Sequence, residues 1–316
     1  MTSASRWRVA LALCAFLLVA SACGGGETPD RGAEPAPDGS IAALKQGAVE
    51  VSVLSSQSPV KPGKAYFGFA LVTTDGGIVT GGTPNVWLAQ DESSRALGPF
   101  RATWYPFAPA SEFDDTSPRS ALPGTYATEI EVPSTGNWVV AATAEAEGKP
   151  AAGTARLEVT DQTIPAEVGT KAISVETPVA DSDAEAREIC TRDPPDPMHY
   201  ISLDDALTNG KPTVVSFATP LLCESQLCGP VVDEMLKAFQ ATGKDKANFV
   251  HVEEFLPGPD LTPPPATLAN AAPAFKDWGF TTEPWTIVID GDGIIRARFE
   301  GPVTAPQIEA ALQPLL

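Results

Sequence analysis

Thr213-Val214-Val215-Ser216-Phe217-Ala218-Thr219-Pro220-Leu221-Leu222-Cys223-Glu224-Ser225-Gln226-Leu227-Cys228-Gly229-Pro230-Val231-Val232 holds a short apolar run, a loop with two cysteines and the start of a helix. The run Thr213 to Ala218 has the length of a buried strand. From Pro230 to Phe239, apolar residues at 231, 232, 235, 236 and 239 follow a helical period. Downstream, Phe249-Val250-His251-Val252 predicts a second strand and Ala274 to Trp278 a short helix. Trp285-Thr286-Ile287-Val288-Ile289 predicts a third strand, and Asp290-Gly291-Asp292-Gly293 a hairpin turn into a fourth, Ile294 to Phe299. Thr304-Ala305-Pro306-Gln307 carries a capping box and an early proline, which start a last helix running to Leu316.

The chemistry of this region rests on Cys228. A cysteine that opens a helix meets unpaired N–H groups and the positive end of the helix dipole, which favour its thiolate. Cys228 is therefore expected to be the more reactive thiol, with Cys223 able to resolve a mixed disulfide across the loop. Glu224 opposes thiolate formation where it lies close.

The order strand, cysteine helix, strand, helix, strand, hairpin, strand, helix resembles the thioredoxin family from about Ser202 to Leu316. Phe217 and Cys228-Gly229-Pro230 match the end of that family's first core strand and the start of its Cys-Gly-Pro-Cys site. Glu283-Pro284-Trp285 matches its cis-proline loop. The resemblance implies an α/β thioredoxin-like domain, an attacking thiol at Cys228, and a Pro284 that covers the sulfur and presents a backbone edge to substrate. Three positions depart from the pattern. Val231 stands at the second cysteine's place, Leu227 where a tryptophan is usual, and Ser216 where a buried acid handles protons. The second thiol lies upstream instead, in a C-x4-C loop. Two alternatives remain. Cys223 and Cys228 form a structural disulfide in a non-catalytic binding or assembly protein, or they hold Cu(I) in a copper-delivery protein. The SCO proteins use a C-x3-C pair and a distant histidine. This chain has only His199 and His251, neither beyond the second strand. The peroxiredoxin motif is not met after Pro220.

Working back along the chain, Val49 to Val53, Tyr66 to Val72, Val86 to Ala89, Tyr126 to Val132, Trp138 to Ala142 and Arg156 to Val159 read as short strands between Gly/Pro turns. This spacing predicts a β-sandwich. Pro123-Gly124-Thr125-Tyr126 and Gly136-Asn137-Trp138 are similar to small Ig-like modules of the YtkA/FixH type from bacterial envelope proteins. The region holds no histidine or cysteine, so neither catalysis nor a soft-metal site is assigned to it.

At the N-terminus, Arg6 and Arg8 precede the apolar run Val9 to Ala20, too short to span a bilayer. Ala20-Ser21-Ala22-Cys23, followed by three glycines, resembles the bacterial lipobox, with Ala20 where leucine is usual. The resemblance implies cleavage before Cys23, a lipid on its sulfur, and a protein anchored at the extracytoplasmic face of the cell membrane. Loss of the leader also removes Cys14, leaving Cys190, Cys223 and Cys228 as thiols in a compartment that permits disulfides.

The 316 residues carry 21 Lys+Arg against 40 Asp+Glu, a net charge of -19 that disfavours nucleic acid and anionic surfaces. The layout expected is a signal peptide (1–22), a flexible tether (23–45), an Ig-like sandwich (46–160), an acidic linker (161–188) and a thioredoxin-like domain (189–316). Cys190 is expected to be buried and inert or to exchange with Cys223. Met198-His199 reads as local packing and surface, and His251 as an ordinary strand residue. The function expected is a thiol–disulfide oxidoreductase with Cys228, Cys223 and Pro284 at its site. It needs no cofactor, and its partners are thiol- or disulfide-containing envelope proteins and, through the lipid, the membrane.

Overall fold

Alternating side chains and Gly/Pro turns lay out the first half of the chain. The computed structural model describes residues 38–55, 58–256, 267 and 269–316. A short helix, α1 (Ile41–Lys45), is followed by strands β1 (Val49–Ser55), β2 (Gly63–Thr73), β3 (Ile78–Val79), β4 (Asn85–Ala89), β5 (Leu97–Arg101), β6 (Thr103–Pro106), β7 (Gly124–Val132), β8 (Gly136–Ala146) and β9 (Lys149–Val159). They pair in the order β5-β4-β8-β9-β1-β2-β7-β6, with β3 on β2. β1 is the hinge of this path, antiparallel to β2 on one side and briefly parallel to β9 on the other. The path encloses one core that includes Phe69, Leu71, Leu88, Tyr126, Ile130 and Val140. Tyr126 and Trp138 each bury a ring and bond its polar tip: Tyr126 Oη donates to Gly81 O at 2.7 Å, and Trp138 Nε1 to Ser134 O at 3.0 Å.

The sequence pattern misses β3, β5 and β6. β5 contains Gly98-Pro99, a pair that reads as a turn. It lies at the end of the sheet path, where a proline leaves no ladder partner unmatched.

The second half contains α2 (Asp183–Ile189), α3 (Leu203–Ala206), β10 (Thr213–Phe217), α4 (Cys228–Thr242), β11 (Asn248–Val252), α5 (Pro273–Asp277), β12 (Trp285–Ile289), β13 (Ile295–Glu300) and α6 (Ala305–Leu312). The sheet order is β11-β10-β12-β13. β10 runs parallel to β11 and antiparallel to β12, which is antiparallel to β13. β10, β11 and β12 are buried throughout, which explains their largely apolar runs. Val214 and Val288 point to one face, under Met235 of α4 and Ile308 of α6. Val215, Phe217, Ile287 and Ile289 point to the other, against Phe275, Trp278 and Phe280. The capping box at Thr304 and Gln307 forms as its sequence predicts.

Within the stretch expected to be an acidic linker, residues 169–172 are laid along the start of β13. Gly169 N–H donates to Ile295 O, Ile295 N–H to Thr170 O, and Ala172 N–H to Gly293 O, each at 2.9 Å. Ile164 and Ala166 are buried, and Ser182 caps α2 through Glu185 N–H. Acidic composition describes the exposed side of this strap. The pairing is made by its backbone, which composition does not register.

The strands of the first half and the sheet of the second meet directly where Tyr66 of β2 packs on Phe299 of β13, and also through residues 107–123. Arg119 bridges Asp115 at 2.8 Å and Asp233 of α4 at 2.5 Å. Arg192 bonds Asp233 at 2.8 Å. Glu234 accepts Ala108 N–H at 2.5 Å and Ala305 N–H, the first of α6, at 2.7 Å. Asp233 and Glu234 are buried carboxylates whose partners come from outside their own helix.

The leader, Cys23 and the tether up to residue 37 lie outside the described residues. Among those described, no helix is long and apolar enough to cross a membrane.

Candidate functional site

The loop after β10 is held by its own backbone. Thr219 O accepts the N–H of Leu222 at 3.1 Å and of Cys223 at 3.0 Å, and Cys223 O accepts Gln226 N–H at 3.0 Å. Gln226 adopts a left-handed conformation, φ 56°, and its carbonyl accepts Ser120 N–H at 2.8 Å from the first half of the chain. These bonds bring Cys223 back onto Cys228, the first residue of α4. The sulfurs lie 2.6 Å apart as free thiols. Cys223 is 5% exposed and Cys228 0%.

The electrostatics reverse the order expected from position alone. The first N–H of α4, that of Cys228, points not at its own sulfur but at Cys223 Sγ, 3.3 Å away. The Ser225 hydroxyl lies 3.2 Å from the same sulfur. With the Cys228 thiol donating to it as the largest influence, Cys223 is held down at about 6. Burial, followed by the neighbouring Cys223 sulfur, pushes the Cys228 thiol well above its ordinary value. Both directions favour the anion on Cys223 and the proton on Cys228. The dipole acts on whichever sulfur the free N–H groups reach, and here the first N–H reaches Cys223. Glu224, expected to oppose a thiolate, is exposed.

The Glu283–Pro284 bond is cis, and Pro284 is buried at the start of β12. Glu283 reaches the thiol pair, its carboxylate and the two sulfurs lying within 4.8 Å of one another. Burial and then the Cys223 sulfur push Glu283 up to about 8. Behind it, burial and then the contact with Glu283 push Glu254 up to about 9. Ser216 bonds Trp285 O and Thr286 Oγ1, both at 3.3 Å. Glu283, rather than any residue at the Ser216 position, places a carboxyl beside the thiols. Its signal was available: a carboxylate directly before the proline already expected beside the sulfur.

A cleft of about 340 Å³ opens beside the pair, lined by Leu222, Ser225, Phe255, Thr282, Glu254 and Glu283. A larger cavity of about 550 Å³ includes Tyr66, Lys61 and Arg298, and neither cavity is lined by a thiol. Cys190 does not join the pair. It is buried with Asp196, His199 and His251; His199 is therefore packed inside rather than at the surface, while His251 lies in β11 as expected.

No protein-family profile matches the chain, and neither does any curated protein. Among solved structures it is similar to a thiol:disulfide interchange protein of the thioredoxin family from Chlorobium tepidum TLS. That match has 16% identity and a TM-score of 0.26, covering 46% of this chain and 99% of the other. It is also similar to titin M4, with 12% identity, 35% and 93% coverage and a TM-score of 0.18. For the Dscam1 Ig7 domain, isoform 5, the values are 16%, 35% and 96%, and 0.16. These likenesses are too slight to assign a fold or an activity.

Proposed function

We propose that the chain is a lipid-anchored, extracytoplasmic thiol–disulfide oxidoreductase, with an Ig-like β-sandwich ahead of a thioredoxin-like domain. The observation that carries this reading is the asymmetric thiol pair: a stabilised anion on Cys223, a protonated Cys228 beneath it, and Glu283-Pro284 alongside. The sheet order β11-β10-β12-β13, with the cysteines at the end of β10, supports the thioredoxin-like scaffold. Cys223 takes the attacking role and Cys228 the resolving one.

In the forward direction the Cys223 thiolate attacks one sulfur of a substrate disulfide. A Cys223–substrate disulfide forms and the other substrate sulfur leaves as a thiolate. Glu283, no longer facing an anion, gives its proton to that leaving group. The resulting carboxylate takes the Cys228 proton as Cys228 attacks Cys223 Sγ. This second exchange closes the Cys223–Cys228 disulfide and expels the remaining substrate thiolate. The substrate is reduced by two electrons and the pair oxidised by two. Beside the reduced pair Glu283 is raised to about 8 and holds its proton near neutral pH, and loss of the Cys223 charge makes it the better donor. The reverse sequence oxidises a substrate dithiol.

The test is trapping. Cys228→Ser should accumulate mixed disulfides at Cys223 when offered disulfide-bearing envelope proteins, and Cys223→Ser should not trap at Cys228. Equal absence of trapping in both variants sinks the reading. One observation favours the non-catalytic alternative, namely that neither sulfur is well exposed. In that case the Cys223–Cys228 disulfide should have a potential below about −300 mV, where an active pair lies higher.

A further inference from the structure

Four donors that the thiol exchange does not use converge behind the cysteine loop: Cys190, Asp196, His199 and His251, all buried. Cys190 Sγ lies 3.5 Å from Asp196 Oδ2 and 3.9 Å from His251 Nδ1. Asp196 Oδ2 is 2.7 Å from His251 Nδ1 and 3.6 Å from His199 Nε2. All four donor atoms fall within 4.8 Å of one another. Ligands about 2.0–2.3 Å from a tetrahedral ion stand about 3.3–3.8 Å apart, so small side-chain adjustments bring these four into range.

The surrounding bonds aim the donors inward. His251 Nε2 donates to Ala218 O at 3.1 Å, which turns Nδ1 toward the cluster in the way outer-shell carbonyls orient ligating imidazoles. Asp196 Oδ1 accepts Met198 N–H at 3.0 Å, leaving Oδ2 for the centre. His199 Nε2 is buried, points into the cluster and has no hydrogen-bond partner. A pocket of about 330 Å³ that includes Pro178, Ile189, His199 and His251 gives access from solvent.

We propose that Cys190, Asp196, His199 and His251 form a tetrahedral site for one divalent transition-metal ion of the zinc class. A thiolate, a carboxylate and two neutral imidazoles balance the ion's double charge. One sulfur and two nitrogens select against magnesium and calcium. Binding releases to solvent the Cys190 proton and the protons that the pairing with Asp196 favours on His199 and His251. The ion ties residues 190–199 to β11 and, through His251 and Ala218, to the base of the cysteine loop. It is separate from the Cys223–Cys228 pair and does not depend on the redox reading.

Cobalt(II) is the probe. The purified full chain, stripped of metal and kept reduced, is titrated with Co²⁺ and then with Zn²⁺. One equivalent of cobalt should produce tetrahedral d–d bands and a thiolate-to-cobalt charge-transfer band, both abolished by zinc. A Cys223→Ala/Cys228→Ala double variant should bind with the same stoichiometry and bands. Cys190→Ala should lose the charge-transfer band, and His199→Ala should weaken binding by more than about tenfold. Absence of the thiolate band in the wild type overturns the proposal, as does its persistence in Cys190→Ala or its loss in the double variant. The double variant keeps the test decisive if Cys190→Ala does not fold.

Discussion

Replacing Cys228 by alanine removes the thiol that donates to Cys223 Sγ at 2.6 Å, the largest of the influences holding Cys223 at about 6. A hydrogen bond to a charged acceptor is worth about 1.5–3 kcal/mol, and about 1.4 kcal/mol corresponds to one pH unit. The Cys223 midpoint should therefore climb by about 1–2 pH units. It should stop short of the ordinary 9.0, because the N–H of residue 228 and the Ser225 hydroxyl remain. Two opposing effects then shape the rate of alkylation. At pH 6 the thiolate fraction falls about 5–50-fold, but each thiolate becomes about 3–8-fold more nucleophilic. The net rate at pH 6 should drop by about 2–6-fold, and the plateau above pH 9 should rise by about 3–8-fold. Brief iodoacetamide pulses on the reduced protein across this pH range, with each cysteine peptide quantified by mass spectrometry, would trace the two profiles. They should cross. Profiles that coincide would refute the assignment of the anion, and so would a wild-type protein that is alkylated at Cys228 before Cys223.

Glu254 and Glu283 titrate at about 9 and about 8 in the folded chain, above the ordinary 4.5, so folding favours their protonated forms. Their contribution to stability is complete below about 4.5 and is lost as pH rises through 8 to 9. Urea melts at pH 5, 7 and 9 should show this decline, less steeply in Glu254→Gln, and parallel declines would contradict it. Arg192→Met strips Asp233 of its buried partner and should cost about 3 kcal/mol in the same melts, with a loss under about 1 kcal/mol counting against the network. Cys23→Ser should leave an unlipidated precursor that no longer partitions with membranes, and lipid label on that variant would dismiss the anchor.

The elements surrounding the thiols were readable from local pattern. β10 and β12 are continuous apolar runs because both their faces are covered. α6 announces itself through a capping box, and the proline before β12 reads as a turn into a strand. Interactions between distant segments were not readable. The Cys190 cluster joins donors on either side of β10, and nothing in the isolated Met198-His199 dipeptide distinguishes a buried ligand from a surface pair. The identity of the thiolate depended on where one N–H points, a matter of a few ångströms decided by the turn at Gln226. Residues 169–172 pair through main-chain groups that every sequence possesses.

The carboxylates of α4 limit how this chain can be divided. Asp233 depends on Arg119 and Arg192, and Glu234 on the N–H of Ala108. A fragment beginning near residue 189 keeps Arg192 but loses Arg119 and Ala108, and uncovers the flank of the helix that carries Cys228. The thiol-bearing half is thus not a transferable cassette. Truncations designed on fold boundaries alone would alter the setting of the reactive sulfurs, and any shuffling of the two halves would have to carry residues 107–123 along with the helix they serve.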